Sequence, residues 1–257
     1  MLTLKNLTKI YNAGTINEHQ LFRNFNLTID DGEFVTVVGS NGSGKTSLLN
    51  IICGSIPVEG GTILLDGQDI TKIPDHKRMK RIGRVYQNPA MGTCGDLTIL
   101  ENFALADNKG KPFNLKFSIK KKRIPQYREM LRTLNLGLED KMDTKVSALS
   151  GGQRQAMALL MSTMTELDFL ILDEHTAALD PKTAETIIEL TDKIVREKGL
   201  TTIMVTHNLR HAETYGNRLI MMDRGELVMD KKDKEKSDCT TDVLLEMFNK
   251  ISVECGN

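Results

Sequence analysis

The segment FVTVVGSNGSGKTSLLNIICG, residues 34–54, decides the fold. Phe34 to Val38 is a short, nearly continuous β-branched run, the pattern of a central strand covered on both faces. TSLLNIICG reads as a helix closed by Gly54. Between them GSNGSGKT, Gly39 to Thr46, fits G-x-x-x-x-G-K-[ST] in the strand–loop–helix context that this pattern requires. Such a loop brings the backbone N–H groups of Ser40, Asn41, Gly42, Ser43 and Gly44 onto the β- and γ-phosphates of a nucleotide. Lys45 adds a charge there, Ser47 follows in the same cradle, and the Thr46 hydroxyl is placed to ligate Mg²⁺.

FLILDE, residues 169–174, supplies the expected second half of that site. A hydrophobic strand delivers Asp173 to a sheet edge beside the phosphate loop, where a carboxylate can hold Mg²⁺ through its water shell. Glu174 is one residue beyond, placed to polarise a water for in-line attack on the γ-phosphorus. Two more polar residues end strands in the same manner, Gln87 after RIGRVY and His207 after TTIMVT. In a doubly wound sheet the carboxyl ends of the strands face the ligand crevice, so both can reach the γ-phosphate.

Around this centre the chain is read as one α/β domain, residues 1–257. LTLKNLTKIY and LFRNFNLTID alternate like strands of an antiparallel layer. The core is assigned to 1–92 and 166–230, an inserted helical subdomain to 93–165, and a charged linker (KKDKEKSD) with a final helix to 231–257. In that helix Val243, Leu244, Met247, Phe248 and Ile251 share one face, which is expected to pack on the core. The 34 basic and 34 acidic residues cancel, so no general field draws the chain to nucleic acid. The dense basic run KKKR, residues 120–123, reads as a solvated helix face. No apolar stretch approaches the about 20 residues that span a bilayer, and Met1 leads into a strand instead of a signal peptide. A cytosolic protein is expected. Cys53, Cys94, Cys239 and Cys255 lack metal-ligand spacing and read as reduced thiols.

LSGGQRQ, residues 149–155, puts a serine and two glycines at a helix start, where unpaired N–H groups and the helix dipole favour an anion. No partner lysine stands nearby, and the phosphate loop already has its own nucleotide. With these motifs together the chain resembles the nucleotide-binding subunit of an ATP-binding cassette (ABC) transporter over nearly its whole length, with LSGGQ as that family's signature motif. The resemblance implies a P-loop NTPase core with an antiparallel β subdomain and an inserted α-helical subdomain, and ATP and Mg²⁺ as cofactors. It implies that Tyr11 stacks on adenine, that Gln87 senses Mg²⁺ and the attacking water, and that His207 contacts the γ-phosphate. Ala178, Leu179 and Asp180 would form the loop that crosses to a second subunit. Most members carry proline after the glutamate; this chain has His175, read as structural.

The family further implies a head-to-tail homodimer with ATP sandwiched between the copies. Each then offers Ser150, Gly151, Gly152 and Gln153 to the other's γ-phosphate. The leading functional expectation is the ATPase of a bacterial importer on the inner face of the cell membrane. It would dock integral membrane permease subunits through a groove at Asn88–Asp96 and serve an extracytoplasmic substrate-binding protein. DEHTAALDPKTA and GTINEHQLF look similar to cassettes of amino-acid importers, aromatic ones among them. The alternative is a soluble ABC ATPase acting on DNA, ribosomes or cofactor assembly; such relatives carry long coiled-coil inserts or a second cassette, and this sequence has neither. A regulator without turnover would be expected to lack Glu174 or His207, and both are present.

Overall fold

The structure, a computed structural model, describes residues 1–111 and 119–254, with side chains through residue 250. β1 (Leu2–Tyr11) and β2 (His19–Ile29) pair antiparallel, from Leu2 opposite Ile29 to Tyr11 opposite His19. β3 (Phe34–Gly39) runs into α1 (Lys45–Cys53), followed by β4 (Gly60–Leu65), β5 (Gln68–Asp69) and one helical turn, α2 (Asp75–Arg78). β6 (Ile82–Val85) precedes the helices α3 (Ile99–Asp107), α4 (Ile124–Arg132) and α5 (Gly151–Ser162). The last third alternates β7 (Phe169–Asp173), α6 (Pro181–Lys198), β8 (Thr202–Val205) and α7 (Leu209–Thr214). It closes with β9 (Arg218–Asp223), β10 (Glu226–Lys232), α8 (Asp233–Ser237) and α9 (Thr241–Glu254).

These strands form two sheets. An antiparallel sheet has the order β2-β1-β4-β5, and a six-stranded sheet the order β10-β9-β3-β8-β7-β6. In the second, β9, β3, β8, β7 and β6 are mutually parallel and only β10 runs against its neighbour. All parallel strands therefore end on one edge, which places the loops after β3, β6, β7 and β8 side by side. This is the α/β cassette fold expected from the sequence.

Side-chain alternation along the parallel strands divides the interior. Val35, Val37, Ile171, Ile203 and Val205 face one way, onto α1 (Leu48, Leu49, Ile52) and the antiparallel layer (Leu2, Leu4, Phe22). Leu170, Leu172 and Met204 face the other way, onto Phe103, Tyr127, Leu159 and Ile187 of α3, α4, α5 and α6. Each large apolar side chain so buried stabilises the fold by about 1.5–3 kcal/mol. A third cluster joins Val38, Leu219 and Met221 to Leu244 of α9.

Helix ends follow local chemistry. Thr98 and Glu101 form a capping box at α3, and Ser150 and Gln153 form one at α5. Asp180 caps α6 through the Thr183 N–H, Pro181 takes its first position, and Gly199 closes it at φ 58°. At the other end of α1, the buried Arg78 guanidinium donates to Ile51 O at 2.8 Å and Ile52 O at 3.0 Å. A cation on the last carbonyls complements the helix dipole whose positive end opens at the phosphate loop.

Three sequence expectations are corrected. The charged stretch after residue 230 is not a linker. Lys231 and Lys232 complete β10, and residues 233–237 are helical. Lys236 is buried, donating to Glu213 O at 2.7 Å and Tyr215 O at 2.8 Å, and Lys232 pairs with Glu33 at 2.6 Å. In α9, Leu244 is buried and Met247 and Phe248 pack beside it, but Val243 is exposed. The side chain of Ile251, and Cys255, lie outside the described residues. Of KKKR, Lys120, Lys121 and Lys122 are exposed as expected, but residues 121–123 make a single 3₁₀ turn, and Arg123 pairs with Asp107 at 2.6 Å across to α3. The described cysteines, Cys53, Cys94 and Cys239, are free thiols.

Candidate functional site

The phosphate loop is built by close approach. At Gly39 a Cβ would stand 2.3 Å from Met222 O of β9, and at Gly44, whose φ is 102°, 3.2 Å from the Phe22 ring. A side chain at Gly39 would meet the β9 backbone, and one at Gly44 would be strained by the positive φ and crowd the Phe22 ring. The Ser40 hydroxyl donates to Asp223 Oδ1 at 3.0 Å, and the Gly225 N–H donates to Ser43 O at 3.0 Å, which tie the loop to the β9–β10 turn. Lys45 folds back into it, its ammonium donating to Gly39 O at 2.7 Å and Ser40 O at 2.9 Å. Burial pushes the Lys45 ammonium below its ordinary pKa, and the Glu174 charge opposes that shift.

A cleft of about 330 Å³ opens above the loop. Asn41, Gly42, Gly44, Lys45, Thr46 and Ser47 form its floor, and Glu174 and His207 form its far wall. His19 and Leu21 of β2 complete the rim. Sequence reading missed His19, since nothing in HQLF marks it and only the pairing of β2 brings it over the loop.

Glu174 sits at φ 47°, an uncommon backbone state for a side-chain-bearing residue. The turn is held because its N–H donates to Val205 O at 3.0 Å and its carbonyl accepts from the Ala177 N–H at 2.9 Å. The carboxylate meets His207, with Oε1 2.8 Å from Nε2. A larger cavity of about 750 Å³ shares these two residues and runs on along Leu179, Pro181 and Glu185.

Asp173 lies outside the cleft wall. Its Oδ2 accepts from Arg84 Nη2 at 2.6 Å, while Oδ1 has no partner among the described residues. Thr46 and Gln87 are exposed, and neither side chain is hydrogen-bonded among the described residues. Tyr11 donates to Ser47 Oγ at 2.9 Å, and Lys9 Nζ stands 5.1 Å from its ring centroid, leaving the opposite ring face free of that cation. Ser150, Gly151, Gly152, Gln153 and Asp180 do not line the cleft. Instead the start of α5 packs on the start of α6: a Cβ on Gly152 would lie 2.2 Å from Thr183 Cγ2.

The chain matches the model of the ABC transporter family over residues 22–177. It belongs to that family.

It is 50% identical to the tyrosine transport ATP-binding protein of Clostridioides difficile (strain R20291) over 248 residues, 96% of this chain and 98% of that protein. The spermidine/putrescine import ATP-binding protein PotA of Haemophilus influenzae (strain ATCC 51907 / DSM 11121 / KW20 / Rd) is 34% identical over 91% of this chain, which spans only 59% of PotA. Among solved structures, the dimeric post-hydrolysis state of an ATP-binding cassette with ADP and Pi superposes with a TM-score of 0.76. That cassette is 32% identical and matches 90% of this chain and 98% of its own. The protein is thus an ABC ATPase, a nucleotide-binding subunit whose hydrolysis is coupled to transport. No helix among its described residues is long and apolar enough to cross a membrane.

In this ABC ATPase the residue after Glu174 is a buried histidine. His175 Nε2 lies 3.0 Å from Thr191 Oγ1, whose own hydroxyl proton goes to Ile187 O at 2.7 Å. The imidazole must therefore donate, which fixes the Nε2–H tautomer. Burial, with the His211 charge adding to it, pushes its pKa down to about 3 from 6.5. The unfolded chain binds this proton below pH about 6.5 and the folded one does not, so stability is complete above that pH and falls as pH drops toward 3. Thermal unfolding between pH 7 and about 4 is expected to show a shallower acid decline in His175→Gln than in the wild type; parallel declines would exclude His175 as the source.

Proposed function

We propose that the chain is the ATPase subunit of a bacterial amino-acid importer, aromatic substrates included, acting as a head-to-tail homodimer with ATP between the copies. The observation that carries the importer reading is the 50% identity across 98% of a tyrosine transport ATP-binding protein. The dimer reading draws on the dimeric cassette that superposes on this chain.

Within each cleft the loop N–H groups and Lys45 hold the β- and γ-phosphates, which requires the Lys45 ammonium to turn from Gly39 O and Ser40 O toward the nucleotide. Tyr11, pinned by Ser47, offers a ring face to adenine. Thr46, Asp173 and Gln87 would hold Mg²⁺; an all-oxygen set with the Thr46 hydroxyl and Asp173 Oδ1 unpaired suits a hard cation. The ion supplies neutralisation of charge on the phosphate oxygens. Glu174 orients a water in line with the γ-phosphorus and accepts its proton as the bond to the bridging oxygen breaks, releasing ADP and Pi. His207 steadies that carboxylate through the 2.8 Å contact and reaches the γ-phosphate.

Contact with permease subunits is assigned to the loop after Gln87. Asn102 of α3 anchors it at both polar groups of Cys94, accepting from N at 2.8 Å and donating to O at 3.0 Å, which leaves Met91 68% exposed and Asp96 exposed. The assembly would sit on the inner membrane face and draw on an extracytoplasmic substrate-binding protein. Asp96→Lys is expected to abolish most uptake of radiolabelled tyrosine in cells while the purified subunit keeps its basal ATPase. Loss of basal ATPase would mark Asp96 as a folding residue. Deletion of the gene should lower tyrosine uptake, and affinity purification from mild detergent should bring down a polytopic membrane protein. If DNA or ribosomes stimulate the ATPase and no membrane protein co-purifies, the soluble reading stands instead.

A further inference from the structure

Arg84 lies on β6, a strand buried along its whole length, with its side chain only 6% exposed. A charge there costs several kcal/mol unless it is paired, so an aliphatic residue would be the simpler occupant. The guanidinium is not even satisfied for its own sake: Nε has no partner among the described residues. Its two terminal nitrogens point to specific places. Nη2 donates to Asp173 Oδ2 at 2.6 Å, and Nη1 donates to Asn50 Oδ1 at 2.8 Å, with Cζ 4.6 Å from the Tyr86 ring centroid.

Both contacts lead to the edge where the phosphate loop opens. Asn50 is four residues after Thr46 on α1, hence on the same helix face one turn on. Asp173 ends β7, the immediate parallel neighbour of β6, and Gln87 leaves β6 just beyond Arg84. One planar fork thus spans the helix that carries Thr46 and the strand that carries Asp173. We infer that Arg84 is a positioning residue for the magnesium site: it holds Oδ2 of Asp173 and the Asn50 face of α1, so that Asp173 Oδ1 and the Thr46 hydroxyl are presented together. This rests on the assignment of Thr46 and Asp173 to the metal. Outer partners of metal ligands commonly act in this way, fixing the ligand's rotamer without touching the ion. Lysine could not replace the fork, because a point charge cannot bond both oxygens in fixed directions.

The test measures Mg²⁺ dependence of ATP binding by the full chain, using a fluorescent non-hydrolysable ATP analogue, with thermal unfolding alongside. Arg84→Met is expected to raise the half-saturating Mg²⁺ concentration about 10- to 100-fold, with analogue binding in EDTA unchanged. A lowered unfolding temperature with unchanged Mg²⁺ dependence would make Arg84 a purely structural ion pair and overturn the inference. Arg84→Lys should stay weakened for Mg²⁺; full recovery would show that charge, not the fork, is what matters, and would overturn it too. Asn50→Ala should shift Mg²⁺ dependence in the same direction and be non-additive with Arg84→Met; it carries the test if Arg84→Met does not fold. Asp173→Asn separates the two layers of the argument. If it leaves Mg²⁺ dependence untouched, the metal assignment itself fails; if it shifts the dependence and Arg84→Met and Asn50→Ala do not, only the role of Arg84 falls.

Discussion

Glu174→Gln is expected to lower ATP hydrolysis by about 10²- to 10⁴-fold while leaving ATP binding intact. The substitution keeps the size and shape of the side chain and can keep a hydrogen bond to His207, now 2.8 Å from Oε1. The backbone at φ 47° is set by main-chain bonds to Val205 and Ala177, and these do not depend on the carboxylate. What is lost, under the proposed mechanism, is the carboxylate that would accept the proton of the attacking water. Binding and ordering of the phosphates are proposed to stay with the loop and Lys45, so the variant should accumulate as an ATP-bound dimer if an uncleaved γ-phosphate joins the copies. Single-turnover hydrolysis and size-exclusion chromatography with Mg²⁺ and ATP check both halves. Turnover near the wild-type rate would exclude Glu174 as the base.

The parts of the fold legible in the sequence are those fixed by local chemistry. The strand–loop–helix of residues 34–54 shows as a local pattern, although Gly39 and Gly44 also pack on Met222 and Phe22, and the cap at Ser150 is satisfied within three residues. The shared edge of Gln87, Asp173, Glu174 and His207 is readable for a different reason: each ends or follows a buried parallel strand, and parallel strands share an edge, although of the four only Glu174 and His207 line the cleft. Long-range electrostatics was not readable. Arg84 in IGRVY looks like an intruder in an apolar strand until its partner 89 residues away is known. Residues 231–238 looked like solvated linker because charge runs usually are, whereas here Lys232 and Lys236 find Glu33 and two carbonyls. His175 can be placed as structural, but neither its burial nor its tautomer follows from DEHTAALD; the tautomer depends on Thr191 of α6.

The largest effect expected outside the cleft belongs to Ser150→Arg. Ser150 caps α5, its hydroxyl accepting from the Gln153 N–H at 3.3 Å, and Gly151 and Gly152 form the first turn. None of them lines the cleft over its own phosphate loop. A two-fold axis can present each LSGGQ to the other copy's γ-phosphate, giving two equivalent composite sites. Arginine at residue 150 removes a cap that contributes about 0.5–2 kcal/mol and puts a long side chain where phosphate must approach the helix N–H groups. The Ser150→Arg homodimer should bind ATP through its intact phosphate loop but neither close nor hydrolyse. Lys45→Ala chains should be inactive for the opposite reason, with weak nucleotide binding. When the two are mixed in equal amounts, half the dimers are hybrids in which both lesions fall in one composite site and the other is intact. Hydrolysis should then return to as much as about a quarter of the wild-type level, the share of intact sites in a random mixture. A Ser150→Arg homodimer that hydrolyses ATP normally would show that LSGGQ does not hold the partner's phosphate, and the composite site would have to be abandoned.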